Sequence, residues 1–316
     1  MSIIKNFFIY IFPSDFIVLC FALILSIVNL IFHNVVPHTE ILLQSNFIMA
    51  SFVFYIAYLD KKRSNRLIMF IHDWYFVPLI FLSFKEIYLM VKPIRVIDYD
   101  SLLISIDKLI FGTDITHVLD KIATPVLTEI LQISYATFFL LPIILGIDLL
   151  RNMNLSDFHF ATFLFVYGFF ISYFGYFIFP AVGPRFYLYD FLKINTDLPG
   201  LFFTNIIRDF LNLGESLKPG LVNPIAFVQR DVFPSGHTDI TLIAMFLSYK
   251  FKLKSRFFLI PNGVLLIFST MYLRYHYGID VIGGIIFMIF SVWSGKIIYN
   301  FWQRFRGKPL FYYPKK

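Results

Sequence analysis

The chain has 316 residues, of which 58% are apolar, 20% aromatic and only 15% charged, and its mean hydropathy is +0.74. That composition excludes an ordinary soluble globular domain and identifies an integral membrane protein. The formal net charge of +7 then reads as lysine and arginine on cytosolic loops, not as a nucleic-acid surface, and a single cysteine, Cys20, excludes an intrachain disulfide and a thiolate metal cluster.

In chain order, eight apolar runs reach or approach the roughly 20 residues that a helix needs to cross a bilayer. They cover 16–36, 41–59, 67–91, 126–149, 158–179, 236–250, 257–273 and 277–301. The first run is long and has no small-residue cleavage site, so an uncleaved span is expected, not a signal peptide. All are continuous, without the period-two alternation of a barrel strand, and therefore predict helices. The sixth is short and counts as a span on the expectation that Thr238, Asp239 and Thr241 face the bundle interior. The expected fold is all-α and polytopic, with about eight transmembrane helices: a two-helix segment over 1–66 and a six-helix catalytic core over 67–316.

Two stretches between the runs are amphipathic. Over 99–122, Leu102, Leu103, Ile106, Leu109 and Ile110, then Ile115, Val118, Leu119 and Ile122, recur at helical spacing around Gly112, which predicts two helices on the membrane surface. Over 199–213, Leu201, Phe202, Ile206, Ile207 and Phe210 do the same, as packing against the bundle or as a lid. Basic residues follow the second span (Lys61, Lys62, Arg63, Arg66), the sixth (Lys250, Lys252, Lys254, Arg256) and the last (Arg304, Arg306, Lys308, Lys315, Lys316). With eight spans these share one face, the cytosol, which places both termini there and puts 180–233 and 274–280 on the opposite face.

The polar residues that converge on that opposite face carry the chemistry. Phe233-Pro234-Ser235-Gly236-His237 opens the sixth run; Ser235 sits at an N-cap, and the N–H groups of Gly236 and His237 point outward, an arrangement that binds phosphate oxygens. Thirty-nine positions after His237 comes His276-Tyr277-Gly278-Ile279-Asp280. The i, i+4 spacing sets the Asp280 carboxylate one turn from the imidazole, where it can fix the tautomer and leave the other ring nitrogen basic. A buried His–Asp pair that only packs the bundle would have the same spacing; the second histidine at a phosphate-binding helix start favours catalysis. Asp239 is a candidate for the surroundings of the same site, or a helix-start carboxylate set by the macrodipole. His33, His38, His72, His117 and His159 lack ligand spacing.

At these residues the chain resembles the type 2 phosphatidic acid phosphatase superfamily, over roughly the last six spans. Pro234-Ser235-Gly236-His237 matches its second motif, and His276 with Asp280 the end of its third. The resemblance implies that His276 is the nucleophile that forms a phosphohistidine, that Asp280 orients it, and that His237 protonates the departing alkoxide and then activates the acceptor hydroxyl. No cofactor and no metal are implied; the partners are membrane lipid substrates and the bilayer. The chain departs from the phosphatase pattern in two places: Ser269-Thr270 stands where Ser-Arg is usual, and Pro180-Ala181-Val182-Gly183-Pro184-Arg185-Phe186 replaces the first motif. Arg185 and Arg274 are the candidate substitutes for the missing phosphate-binding arginine, or interfacial arginines snorkelling to headgroups. A site with fewer cations suits a phosphodiester better than a dianionic monoester. The stretch from Tyr272 to Gly284 also looks like the inositol phosphorylceramide synthase branch, so headgroup transfer between lipids is expected, with lipid phosphate hydrolysis as the alternative. A two-histidine, one-carboxylate metal enzyme and a transporter are the readings from other classes.

Overall fold

The computed structural model describes residues 8–63, 65–152, 154–218 and 220–314. Its long elements are helices: α1 Pro13–Ile31, α2 Thr39–Arg63, α3 Arg66–Trp74, α4 Phe76–Ile94, α5 Asp100–Phe111, α6 Ile115–Asp120, α7 Pro125–Ala136, α8 Leu140–Arg151, α9 Leu155–Ile178, α10 Thr204–Gly214, α11 Gly236–Lys250, α12 Arg256–Tyr272 and α13 Gly278–Phe305. No strand occurs among the described residues, and the chain is an all-α, polytopic integral membrane protein.

All eight apolar runs fall in helices, but their span count differs from eight. Among the described residues, five helical stretches are long and apolar enough to cross a membrane: α1, α2, α3 with α4, α9 and α13. The fourth run breaks into α7 and α8, bent by 57°, and gives a sixth if it counts as one span. At about 1.5 Å per residue, the 15 residues of α11 and the 17 of α12 reach only about 22 and 26 Å, short of a hydrocarbon core of about 30 Å. Apolar content made these runs resemble spans, whereas caps and turns cut them short.

The chain divides into two compact units, one of Met1–Ile94, Gly146–Ile171 and Ile289–Lys316, the other of Arg95–Leu145 and Ser172–Met288. Within the first, α1 packs along α2. A buried ionic cluster ties its ends: both nitrogens of His72 meet carboxylates, Asp15 at 3.0 Å and Asp60 at 2.9 Å, while the Tyr75 hydroxyl donates to Asp15. Outward-facing side chains such as Phe47 (74% exposed) and Leu82 (65%) are the lipid-facing apolar surface expected of spanning helices.

In the second unit α12 packs against both α7 and α11, and α10 lies on α7. The predicted break at Gly112 is present: this residue, at φ 75°, ends α5, and α6 follows from Ile115. The second amphipathic stretch forms α10, whose Ile206 and Phe210 are exposed. Its start is held by Glu129 of α7, which accepts hydrogen bonds from the N–H groups of Leu201 (2.9 Å), Phe203 (2.6 Å) and Thr204 (3.2 Å). Two aspartates on α5 serve the same purpose elsewhere. Asp100 accepts from the N–H groups of Val182 and Gly183 and from the Tyr277 hydroxyl, and Asp107 from the N–H groups of Gly278 and Ile279. A carboxylate on the first N–H groups of α13 satisfies orphan donors and complements the helix dipole, so α5 fixes both the 180–186 loop and the helix start after His276.

Candidate active site

Ser235 is the N-cap of α11: its hydroxyl accepts from the Thr238 N–H (3.2 Å) and the Thr238 hydroxyl (3.0 Å). Its own N–H donates to the carbonyl of Asp280 at 3.0 Å, which locks the start of α11 to the first turn of α13. Glycine is required at Gly284, where α13 touches the start of α11, while Gly236 faces the side chain of Tyr176 on α9. A Cβ on Gly284 would lie 2.6 Å from the Ser235 carbonyl oxygen, and one on Gly236 would lie 2.7 Å from the Tyr176 hydroxyl. His237 thus stands on a fixed platform, its ring stacked on Tyr135 with centroids 4.6 Å apart.

His276 lies in the turn between α12 and α13, where its N–H and that of Tyr275 both donate to the Thr270 carbonyl. The ring Nδ1 is 2.9 Å from the backbone carbonyl of Val232. A carbonyl can only accept, so Nδ1 carries the proton and Nε2 keeps its lone pair. That Nε2 lies 3.5 Å from Nδ1 of His237. Asp280 lies within reach of the same ring, Oδ2 to Nδ1 at 3.5 Å, but its shorter bond is from the Tyr277 N–H at 2.7 Å. Asp280 thus comes beside the imidazole, but through the turn and not through the helical i, i+4 geometry, because His276 precedes α13; the hydrogen bond that sets the tautomer comes from Val232, a backbone atom invisible in the sequence. Burial holds the His276 imidazole down at about 4, against the opposing pull of Asp231 and the Val232 carbonyl, which leaves it neutral at physiological pH.

A small cavity of about 20 Å³ joins these residues, lined by Tyr135, Arg185, Glu215, Asp231, His237 and His276 together with Val182, Val232 and Tyr275. It holds about one water molecule, so a phosphate group enters only if the lining opens. Among the lining residues Arg185 is the sole lysine or arginine. Its backbone N–H donates to the Arg274 carbonyl at 3.0 Å, and its guanidinium pairs with Glu215, at the end of α10, and with Asn212. The guanidinium also lies 4.4 Å from the Tyr275 ring centroid. Tyr275 stacks on Tyr135 at 4.4 Å, and Tyr135 on His237, so one aromatic ladder sets the spacing between cation and histidine. Burial alone would lower the Arg185 pKa, but Glu215 and its other neighbours keep it above the ordinary value. Asp231 is pushed up to about 6 by burial and by Glu215, offset in part by His276 and Arg185.

The sequence candidates therefore divide. His237, His276 and Arg185 line one cavity, with Asp280, Ser235 and Gly236 directly behind them. Arg274 is turned away: at φ 64° it directs its guanidinium to Asp120 (3.0 Å) and Asp197 (2.9 Å), over the ring of Tyr189. Asp239 lies outside the cavity lining, fully buried, and accepts from the Ser172 hydroxyl at 2.9 Å. Sequence reading missed Asp231, Glu215 and Tyr135. The position of Asp231 three residues before Pro234 was the one available signal; Glu215 and Tyr135 arrive from separate helices. Among the described residues no group of three or more His, Cys, Asp or Glu could hold a metal ion.

Residues 103–294, well over half of the chain, match the family described as the PAP2 superfamily. A PA-phosphatase related-family protein of Dictyostelium discoideum is 28% identical over 186 residues, which cover 53% of this chain and 32% of that protein. The chain thus spans about a third of the length of this curated relative. No solved structure matches it.

Proposed function

The chain belongs to the PAP2 superfamily, and from that premise we propose that it is a membrane lipid phosphotransferase that moves a phosphorylated headgroup from a phospholipid to a lipid alcohol. The charge of the cavity carries this reading: Arg185 is its sole lysine or arginine, and the carboxylates of Glu215 and Asp231 stand beside it. A phosphodiester, with one negative charge, meets less repulsion there than the dianion of a phosphate monoester. In this reading the enzyme is of the inositol phosphorylceramide synthase-like kind, and with α7 and α8 counted as one span, giving six, both termini lie in the cytosol and the site opens on the non-cytosolic face.

In the proposed reaction Nε2 of His276 attacks phosphorus as the bond to the donor lipid's alkoxide breaks. Burial, with His276 and Arg185 nearby, holds the His237 pKa well down, so His237 takes up its proton as the phosphate anion enters beside it; it then gives that proton to the alkoxide, diacylglycerol leaves and a phosphohistidine remains. Neutral His237 then takes the proton of the acceptor hydroxyl, whose oxygen attacks phosphorus and breaks the P–N bond, which restores neutral His276 and protonated His237. Asp280 steadies the imidazolium character of His276. Arg185 and the N–H groups at the start of α11, behind Ser235 and Gly236, face the charge that develops on the phosphoryl oxygens. Arg274 has a supporting part, since its ion pairs hold the turn that presents His276.

The test is mass spectrometry of lipid products after the purified protein and its His276→Ala variant are incubated with phosphatidylinositol plus ceramide, and separately with phosphatidic acid. A new phosphodiester lipid made only by the wild type supports transfer; rapid release of inorganic phosphate from phosphatidic acid with no transfer product overturns it.

A further inference from the structure

Within the unit formed by Met1–Ile94, Gly146–Ile171 and Ile289–Lys316, a second set of buried polar groups lies outside the stretch that matches the family. Glu86 of α4 is 7% exposed, and its Oε1 accepts from the side-chain amides of Asn29 on α1 (2.9 Å) and Asn46 on α2 (2.7 Å). Those bonds satisfy the amide donors and leave acceptors unmet. Among the described residues Asn29 Oδ1, Asn46 Oδ1 and Ser83 Oγ are all buried without a hydrogen-bond partner. Open polar atoms in a membrane helix bundle are expensive, and a group that binds beside Asn46 and Ser83 would remove the cost of two of these three.

The space for such a group is present. Asn46, Ser83 and Glu86 line a cavity of about 390 Å³ whose other walls are mainly apolar and include Ile48, Phe52 and Leu82. Ile48 and Leu82 are about two-thirds exposed, on the surface that faces lipid. Asn46 is the eighth residue of α2, so the polar floor lies about 10 Å in from the helix end, at the depth of upper acyl chains. The unmet atoms select the ligand. Asn46 Oδ1 needs a donor, which a phosphate oxygen cannot supply, and no lysine or arginine lines the cavity to hold an anion. A headgroup at this depth also has to be uncharged to avoid the desolvation cost of an ion.

We propose that this cavity is a binding site for a neutral lipid alcohol, with its hydroxyl donating to Asn46 Oδ1 and accepting from the Ser83 hydroxyl, and its chains leaving along Phe52 and Leu82 into the bilayer. The proposal does not rest on the phosphoryl-transfer reading, because it concerns other residues and needs no turnover.

The full chain in phosphatidylcholine nanodiscs is exposed to a photoactivatable, clickable diacylglycerol, and in parallel to matched sphingosine and phosphatidylcholine probes, and the labelled peptides are mapped. The diacylglycerol probe is expected to label 45–52 and 78–86, with unlabelled diacylglycerol competing. Ser83→Ala removes a hydroxyl that has no partner to lose, so thermal stability holds while labelling falls about five- to tenfold, the effect of one buried hydrogen bond. Leu82→Trp, at the exposed mouth, gives an independent block. Labelling that is unaffected by both variants, or not competed, or stronger with the sphingosine or phosphatidylcholine probe, overturns the proposal.

Discussion

The contact between α11 and α13 is tight enough that one methyl group should separate fold from activity. A Cβ on Gly284 would sit 2.6 Å from the Ser235 carbonyl oxygen and 2.6 Å from Thr238 Cβ. Both obstacles are fixed, one as backbone and one as the root of a buried side chain, and they bracket His237. Contacts between such atoms settle at about 3.5–4 Å, so Gly284→Ala must push the two helices apart by close to an ångström at this point. Overpacking of this kind costs about 1–3 kcal/mol, while alanine's better helix propensity returns about 0.5–1 kcal/mol. The stability loss is therefore modest. The catalytic loss is larger, because the Ser235 N–H to Asp280 carbonyl bond at 3.0 Å and the 3.5 Å spacing of the two imidazoles depend on the same register. A displacement near 1 Å in a reacting group costs on the order of 100-fold in rate. Turnover of the active lipid substrate and thermal unfolding in detergent would both be measured, with Gly283→Ala as the control. At Gly283 the added methyl meets mainly the Phe233 ring edge, at 2.9 Å, which can turn aside. The expected result is a turnover loss of about 100-fold for Gly284→Ala, with a folded protein, and a much smaller loss for Gly283→Ala. Wild-type turnover in Gly284→Ala would refute the claim that this crossing positions His237.

Further predictions concern charge. Arg185→Ala should cut turnover by about 10²–10³-fold, as expected for loss of a preorganised phosphate partner, whereas Arg274→Ala should lower the melting temperature and leave the turnover of folded molecules within about tenfold; equal turnover losses would contradict the two placements. For pH, the folded pKa of His276, about 4, lies below the ordinary 6.5, so its contribution favours folding above 6.5 and is lost as pH falls through 4. Asp231, raised to about 6 from 3.8, acts in the opposite sense and gains stability as pH falls across 6 to 3.8. Asp231→Asn should therefore make the melting temperature fall more steeply than in the wild type between pH 7 and 4.5; an unchanged slope would show that the two groups do not compensate. Glu129→Gln should weaken the hold on the start of α10, at about 1–3 kcal/mol for the poorly met N–H groups, and limited proteolysis should then cut within 199–204 faster.

Helical class, membrane insertion and the two histidine segments were legible in the sequence because each rests on local information. Continuous apolar runs must satisfy their backbone internally, a Ser-Gly start caps a helix, and Gly112 ends one. The nearness of His276 and Asp280 was legible only as a short separation in sequence, since His276 lies in the turn before α13 and not on the helix. What the sequence could not supply were effects that depend on distance in space. Whether a run of 15 residues crosses the bilayer is decided by where caps and turns cut it, not by its apolar content. The partner of His276 Nδ1 is the Val232 backbone, 44 positions away, and a carbonyl carries no residue signature. Arg185 and Arg274 read alike as basic residues beside motifs. Tertiary structure separated them by placing Glu215 and Tyr275 around the first, and Asp120, Asp197 and Tyr189 around the second, because a guanidinium turns toward the carboxylates and rings that the fold brings within reach.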